Sequence, residues 1–124
     1  MLYKNILLID SDIDDAELFM EAIDSLHKDI VCRVATNSVT AFEELKTTEK
    51  LPDLLFLDIN MPCLNGLDLA KQLKNDARLK DIEVILMSSS SEELIRTLLK
   101  DIGKYMCKPY NYLDFTAQLK QIIL

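Results

Sequence analysis

The stretch Leu54-Leu55-Phe56-Leu57-Asp58 is a run of four apolar residues that ends in a carboxylate. A second stretch of the same design, Ile6-Leu7-Leu8-Ile9-Asp10, lies near the amino terminus. Continuous apolar runs of this length are typical of strands that are buried on both faces of a parallel sheet. Both runs are far shorter than the roughly 20 apolar residues that a membrane-spanning helix requires.

Other strand-length segments follow along the chain, and segments with helical spacing separate them. The predicted strands are Lys4 to Ile9, about Ile30 to Ala35, Asp53 to Leu57, Ile82 to Met87 and Lys104 to Cys107. Strands that alternate with amphipathic helices indicate an α/β protein in which helices flank a parallel sheet. The alternation fills residues 1–124 as one (βα)5 domain, and we expect no effector domain.

Apolar residues at spacings of three and four predict five helices. They are Ala16, Phe19, Ile23 and Leu26 for the first helix, Phe42 and Leu45 for the second, Leu67, Ala70 and Leu73 for the third, Leu94 and Leu98 for the fourth, and Tyr112, Phe115, Leu119 and Ile122 for the fifth. Asp12 or Ser11 could cap the first helix. Ser90 and Glu93 have the spacing of a capping box at the start of the fourth.

The composition is that of an ordinary globular domain, with 124 residues, 49% of them hydrophobic and 28% charged. A domain of this size can bury its own core without disulfides or a structural metal. Cys32, Cys63 and Cys107 form no CxxC pair, which disfavours a disulfide framework or a zinc site. Because Asp10 comes before the apolar region of a signal peptide could be completed, we expect a cytoplasmic protein.

The charge balance limits the possible partners. The chain has 21 Asp and Glu against 14 Lys and Arg, which gives a formal net charge of -7. Such a charge repels nucleic-acid phosphates and anionic membranes at long range. We therefore expect neither direct nucleic-acid binding nor a membrane partner.

The residues that follow the predicted strands are unusually polar. They are Asp10-Ser11-Asp12 after the first strand, Asp58-Ile59-Asn60 after the third, Ser88-Ser89 after the fourth and Lys108-Pro109 after the fifth. Each has an ordinary interpretation by itself, as a helix cap, a turn residue, a loop hydroxyl or a solvated charge. In an open parallel sheet, however, these strand ends share the edge at which ligands bind, so their combination indicates a site.

The residue types at this edge suit phosphate chemistry. Carboxylates that lie close together repel one another and favour a hard divalent cation, and Mg²⁺ is the usual partner of phosphate groups. A lysine can neutralise phosphoryl oxygens, a serine can donate a hydrogen bond, and aspartate is a known phosphoryl nucleophile.

Four segments resemble the motifs of the response-regulator receiver family, and the resemblance covers the whole chain. The segments are Ile6 to Asp10, Leu55 to Pro62, Ile85 to Ser89 and Tyr105 to Pro109. The chain is most similar to stand-alone, CheY-like receivers. This resemblance implies a doubly wound, flavodoxin-like (βα)5 fold with strand order 2-1-3-4-5 and helices on both faces of the sheet.

The resemblance also implies residue roles. Asp58 would accept a phosphoryl group from a histidine kinase or a phosphotransfer protein, and Asp10, Asp58 and the backbone carbonyl of Asn60 would bind Mg²⁺. Lys108 would contact the phosphoryl group, and Ser88 would bond it after transfer.

A switch aromatic, Tyr105, would carry the change to a face formed by the fourth helix, the fifth strand and the fifth helix. A half-buried strand aromatic is the alternative interpretation of this residue. Lys104, Tyr105 and Tyr110 are candidate contacts for a protein target. By this resemblance we expect the chain to be a signalling switch and not a turnover enzyme.

Ser11 departs from the family pattern, which usually has a second acidic residue at this position. Serine offers a neutral oxygen, and hard cations respond to ligand charge. Asp12 could compensate at longer reach, although its role as a helix cap competes with this. We hypothesise that Mg²⁺ binds more weakly than at a full acidic pair and still supports phosphorylation.

Three other functions are compatible with parts of the sequence. A phosphorylation-independent docking module would keep the fold and account for Ser11. A haloacid dehalogenase-like phosphohydrolase would use the Asp10-Ser11-Asp12 stretch, but it leaves the Asp58 motif unexplained. A flavodoxin-type FMN binder needs a phosphate-binding loop after the first strand, and here that loop is acidic.

Overall fold

The computed structural model of the protein describes residues 3–26, 29–59, 66–88, 104–109 and 111–123, without the side chains of residues 66 and 67. The strands are β1 (Asn5–Ile9), β2 (Val31–Ala35), β3 (Leu54–Asp58), β4 (Glu83–Ser88) and β5 (Lys104–Cys107). The helices are α1 (Ile13–Leu26), α2 (Ser38–Thr47), α3 (Gly66–Asn75) and a C-terminal helix (Tyr112–Ile123). The predicted fourth helix, with Ser90, Glu93, Leu94 and Leu98, lies outside the described residues, as does the side chain of Leu67.

The five strands form one parallel sheet with the order β2-β1-β3-β4-β5. The sheet thus extends from β1 in both directions, with β2 on one side and β3, β4 and β5 on the other. This order confirms the predicted doubly wound, flavodoxin-like fold. The predicted strand boundaries differ from the observed ones by at most one residue. The sequence predicts that Asp58 and Ser88 follow their strands, but in the structure they are the last residues of β3 and β4. The strand pairing continues to Asp58 with Met87 and to Ser88 with Cys107.

Alternate residues of each central strand face opposite layers of the protein. In β1, Ile6 and Leu8 pack with α1 and the C-terminal helix, while Leu7 and Ile9 pack with α2 and α3. Burial on both faces explains why the central strands read as continuous apolar runs.

Three phenylalanines join α1, β3 and the C-terminal helix. The ring of Phe19 packs edge-on against Phe56 at 4.9 Å and against Phe115 at 5.9 Å between centroids. All three are fully buried, which fixes α1 across the sheet beside the C-terminal helix.

Side-chain caps define where three of the helices begin. The backbone N–H of Asp15 donates to Oδ1 of Asp12 at 3.1 Å, so Asp12 caps α1 as predicted. Asn37 caps α2 and Asn111 caps the C-terminal helix through equivalent bonds of 3.0 Å and 2.9 Å. Each capped helix directly follows a strand, so it starts at the carboxyl edge of the sheet, where the strands end. No helix in the described ranges is both long enough and apolar enough to cross a membrane.

Candidate functional site at the carboxyl edge of the sheet

Four predicted site residues are buried at or just beyond the carboxyl ends of their strands. These are Asp10 after β1, Asp58 at the end of β3, Ser88 at the end of β4 and Lys108 after β5. Acidic and basic side chains are rarely buried unless they have partners, because loss of water disfavours their charged forms. The contacts of these four residues therefore determine what the edge can do.

Two hydrogen bonds with backbone groups of other residues fix the position of Asp10. Its N–H donates to the carbonyl oxygen of Ala35 at 3.0 Å, which extends the pairing of β1 with β2 by one residue. Its Oδ1 accepts a 2.9 Å hydrogen bond from the N–H of Asp12. The second carboxylate oxygen, Oδ2, remains directed toward Lys108.

Lys108 is placed by the pairing of β5 with β4. Its backbone N–H donates to the carbonyl oxygen of Ser88 at 2.7 Å, so the strand pairing continues past Cys107. Its Nζ lies 2.6 Å from Oδ2 of Asp10 and 3.4 Å from Oδ2 of Asp58. The structure thus brings Asp10, Asp58 and Lys108 into one charged cluster.

Asp15 also belongs to this cluster, although its role was missed from the sequence. Its Oδ2 lies 2.8 Å from Nζ of Lys108, and its side chain is 36% exposed. The sequence gives one weak signal, since Asp15 stands three residues after the cap Asp12, as in a capping box. That pattern predicts a bond back to the N–H of Asp12, but this N–H already donates to Asp10. The Asp15 carboxylate is therefore available to Lys108.

The cluster combines three carboxylates with one ammonium group. Burial raises the pKa of Asp10 to about 6, and the charge of Asp58 acts in the same direction, while the contact with Lys108 and the bond from Asp12 oppose the rise. Burial disfavours the charge of Lys108, but Asp10, Asp15 and Asp58 together raise the pKa of its ammonium group. The excess negative charge makes the edge receptive to a cation.

The oxygen donors fit a hard divalent cation. Asp10 and Asp58 supply carboxylate oxygens at the ends of neighbouring strands, and carboxylates are ligands that Mg²⁺ accepts. Within the described ranges, no group of three or more His, Cys, Asp or Glu side chains is arranged to hold a metal ion. The expected ligand set needs only two such side chains, because its third donor is the backbone carbonyl of Asn60, which lies outside the described residues.

The remaining predicted residues lie around this cluster or beyond the described chain. Ser11 is half-buried between Asp10 and the cap Asp12, and Asp12 is exposed. Tyr105 is half-buried and packs against the apolar cluster beneath α2 and α3, while Lys104 is exposed at the start of β5. Tyr110 lies outside the described residues.

The fold and the charged cluster together define a doubly wound α/β domain with a largely buried cluster of three aspartates and one lysine at the carboxyl edge of its sheet. The chain belongs to the response regulator receiver domain family, whose model matches residues 6–120.

Two curated relatives illustrate the family. The chain is 28% identical over 125 residues to the phosphate regulon transcriptional regulatory protein PhoB of Pseudomonas aeruginosa, covering 99% of this chain and 53% of PhoB. It is 35% identical over 78 residues to the chemotaxis protein CheY1 of Helicobacter pylori, covering 61% of this chain and 62% of CheY1. The chain therefore spans about half of the length of PhoB.

Solved structures of response regulators share the fold. The phosphorylated cyanobacterial phytochrome response regulator RcpA matches with a TM-score of 0.86 and 25% identity, over 97% of this chain and 91% of its own. The Mn(2+)-bound form of the response regulator Rcp1 matches with a TM-score of 0.83 and 23% identity, over 96% of this chain and 91% of its own. The Rcp1 likeness shows the fold alone.

Proposed function

We propose that this chain is a phosphorylation switch of a two-component signalling system, with Asp58 as the phosphoryl acceptor. The observation that carries the proposal is the buried cluster in which Nζ of Lys108 lies between Asp10 and Asp58, at 2.6 Å and 3.4 Å from their carboxylates. Membership of the receiver family supports it, and so does the likeness to RcpA, which is described as phosphorylated.

In the proposed reaction, an Asp58 carboxylate oxygen attacks the phosphorus atom of a phosphohistidine on a histidine kinase or phosphotransfer protein. A small acyl phosphate would serve in the same way. The new oxygen–phosphorus bond forms while the bond from phosphorus to the donor breaks, and the donor leaves with that electron pair. The product is an acyl phosphate on Asp58, so the chain acts as a signalling switch that is itself modified.

The proposed cofactor is Mg²⁺, with Asp10, Asp58 and the backbone carbonyl of Asn60 as ligands and Ser11 or Asp12 as a further candidate. When bound, it would neutralise negative charge on Asp58 and on the incoming phosphoryl oxygens. The excess of carboxylates over ammonium groups in the cluster supports a cation at this position. Since Ser11 is neutral, we expect a lower affinity than at a site with two adjacent acids.

After transfer, Lys108 would contact the phosphoryl oxygens and Ser88 would donate a hydrogen bond to them. Ser88 is buried at the end of β4, and its carbonyl oxygen already accepts from the N–H of Lys108. Movement of either residue is therefore coupled to the β4–β5 pair. The new charge would bias an equilibrium between two conformations of the domain.

The output would be a changed protein-binding surface around the predicted fourth helix, β5 and the C-terminal helix. Tyr105 is the proposed switch aromatic, and Lys104 and Tyr110 are proposed target contacts. A protein partner suits a chain with a formal net charge of -7 better than nucleic acid does. We place this signalling in the cytoplasm, where free cysteines stay reduced.

The test is incubation with acetyl phosphate and Mg²⁺, followed by intact-protein mass spectrometry. We expect one phosphoryl adduct on the wild type and none on Asp58→Asn or after chelation of Mg²⁺. Asp14→Asn is the matched control, because Asp14 is an exposed acid in the first turn of α1. If the folded wild type took up no phosphoryl group at any Mg²⁺ concentration, a docking module that works without phosphorylation would be the better account.

A further inference from the structure

Lys108 is bound more closely to Asp15 than to the proposed phosphoryl acceptor. Its Nζ lies 2.8 Å from Asp15 and 2.6 Å from Asp10, but 3.4 Å from Asp58. An ammonium group has three hydrogens to donate, and here the two short contacts are with residues at the β1–α1 side of the site. The contact with Asp58 is the weakest of the three.

The Asp15 carboxylate cannot follow Lys108 far. Asp15 is the third residue of α1, and its backbone N–H is tied to the cap Asp12 at 3.1 Å. The next N–H, of Ala16, donates to the carbonyl of Asp12 at 3.0 Å and closes the first turn. A short side chain on this fixed turn reaches Lys108 only while the ammonium group stays near α1.

A phosphoryl group on Asp58 would require Lys108 to turn toward β3. That movement would lengthen the contact with Asp15, so the two anions compete for one ammonium group. The competition is direct, because the Lys108 side chain is only 9% exposed and has little water to replace a lost partner.

We infer that Asp15 is a positioning residue that holds Lys108 on the α1 side of the site and thereby opposes the binding of a phosphoryl group at Asp58. The inference rests on the proposed function. It goes beyond it by assigning a role to an acid on α1 that weakens the activated state.

The experiment measures the affinity for beryllofluoride, a mimic of the phosphoryl group, by isothermal titration calorimetry at Mg²⁺ concentrations that saturate each variant. Asp15→Asn should bind about two- to fivefold more tightly than the wild type, which is the range expected for a partly exposed ion pair. Asp14→Asn removes the same charge from the same turn without a contact to Lys108, and it should change the affinity less. Asp15→Glu keeps the charge and should lie near the wild type.

A spectroscopic readout separates positioning from a general effect on the fold. In NMR spectra of the ligand-free protein, the signal of the Lys108 ammonium group should shift in Asp15→Asn and keep its wild-type position in Asp14→Asn. Thermal unfolding of both variants should remain cooperative.

The outcomes are distinct for the two proposals. Equal affinities of Asp15→Asn and Asp14→Asn, or weaker binding by Asp15→Asn than by the wild type, would overturn the role of Asp15 while leaving the switch intact. A folded, Mg²⁺-loaded wild type that bound no beryllofluoride would overturn the proposed function, and the role of Asp15 with it.

Discussion

Each of the two edges of the sheet carries a close ion pair between a lysine and a carboxylate, but the surroundings of the two pairs differ. At the carboxyl edge, Lys108 lies 2.6 Å from Asp10, and the side chains are 9% and 1% exposed. At the amino edge, Lys104 lies 2.7 Å from Glu83, and the side chains are 72% and 32% exposed. Burial raises the pKa of Asp10 to about 6, whereas hydrogen bonds from Lys104 and Tyr3 lower the pKa of Glu83.

The two lysine–carboxylate distances are similar, but the pKa shifts are opposite. Burial, and not the distance to a lysine, therefore decides whether the pKa of each carboxylate rises or falls. At the amino edge the partners outweigh a small loss of hydration, and the pair is an ordinary surface contact. At the carboxyl edge the loss of water has a larger effect on the pKa of Asp10 than the contact with Lys108 has. Keeping Asp10 charged therefore costs free energy. A bound cation, such as the proposed Mg²⁺, would offset that cost.

Loss of Lys108 should have the largest effect, because it removes the cation that contacts two buried carboxylates, Asp10 and Asp58. We expect Lys108→Met to lower the free energy of unfolding by about 3 kcal/mol or more at pH 8. The matched change at the other edge, Lys104→Met, should cost less than about 1 kcal/mol. Urea unfolding measures both, and similar losses for the two variants would contradict the difference between the edges.

Asp10 should give the protein an unusual pH dependence. Since its pKa rises from 3.8 to about 6 in the folded state, the folded protein holds this proton more tightly than the unfolded chain. Its contribution to stability is then complete below about pH 4 and is lost as the pH rises through about 6, by about 3 kcal/mol. Asp10→Asn should remove this loss, because Asp15 and Asp58 still contact Lys108. At pH 8 the variant should therefore be more stable than the wild type, by up to about 3 kcal/mol.

Urea unfolding between pH 4 and pH 8 tests this prediction. Asp14→Asn serves as the control, since it changes an exposed acid of α1 and should keep the wild-type slope. Parallel pH profiles of stability for the wild type and Asp10→Asn would show that burial does not raise the pKa of Asp10.

Ser11 should limit metal affinity at the carboxyl edge. We expect Ser11→Asp to bind Mg²⁺ about three- to tenfold more tightly, which is about 0.7–1.4 kcal/mol, because a charged oxygen replaces a neutral one. Asn75→Asp adds the same charge at the exposed end of α3, far from the cluster, and should leave the affinity almost unchanged. Calorimetric titration with Mg²⁺ gives both values, and equal affinities of the wild type and Ser11→Asp would refute the expectation.

The smallest effect on stability should come from the exposed ion pair of Lys104 and Glu83. Glu83→Gln should lower stability by less than about 1 kcal/mol at neutral pH. Because the pKa of Glu83 is lowered in the fold, its contribution is present above the ordinary value of 4.5 and is lost as the pH falls through the lowered pKa. The stability difference between wild type and variant should therefore shrink in acid, and a difference that grew on acidification would exclude this assignment.

The sequence predicts the strands well because burial on both faces leaves a local apolar pattern, as in Ile6 to Ile9 and Leu54 to Leu57. It also predicts that Asp10, Asp58, Ser88 and Lys108 gather at one edge, since topology alone places the strand ends there.

The contacts among the gathered residues could not be predicted in the same way. Asp15 reaches Lys108 because the backbone N–H of Asp12, its expected capping partner, already donates to Oδ1 of Asp10. The rise in the pKa of Asp10 likewise depends on packing from several elements. Such features arise from tertiary structure and leave no periodic pattern in the chain.

The most direct test of the central claim is the position of the phosphoryl group. After incubation with acetyl phosphate and Mg²⁺, reduction with borohydride converts an aspartyl phosphate to homoserine, and peptide mass spectrometry locates it. The switch described here predicts homoserine at position 58 in the wild type and in Asp14→Asn, and none in Asp58→Asn. Homoserine at position 10 with an unmodified Asp58 would contradict it and would favour a phosphohydrolase that uses the first strand end.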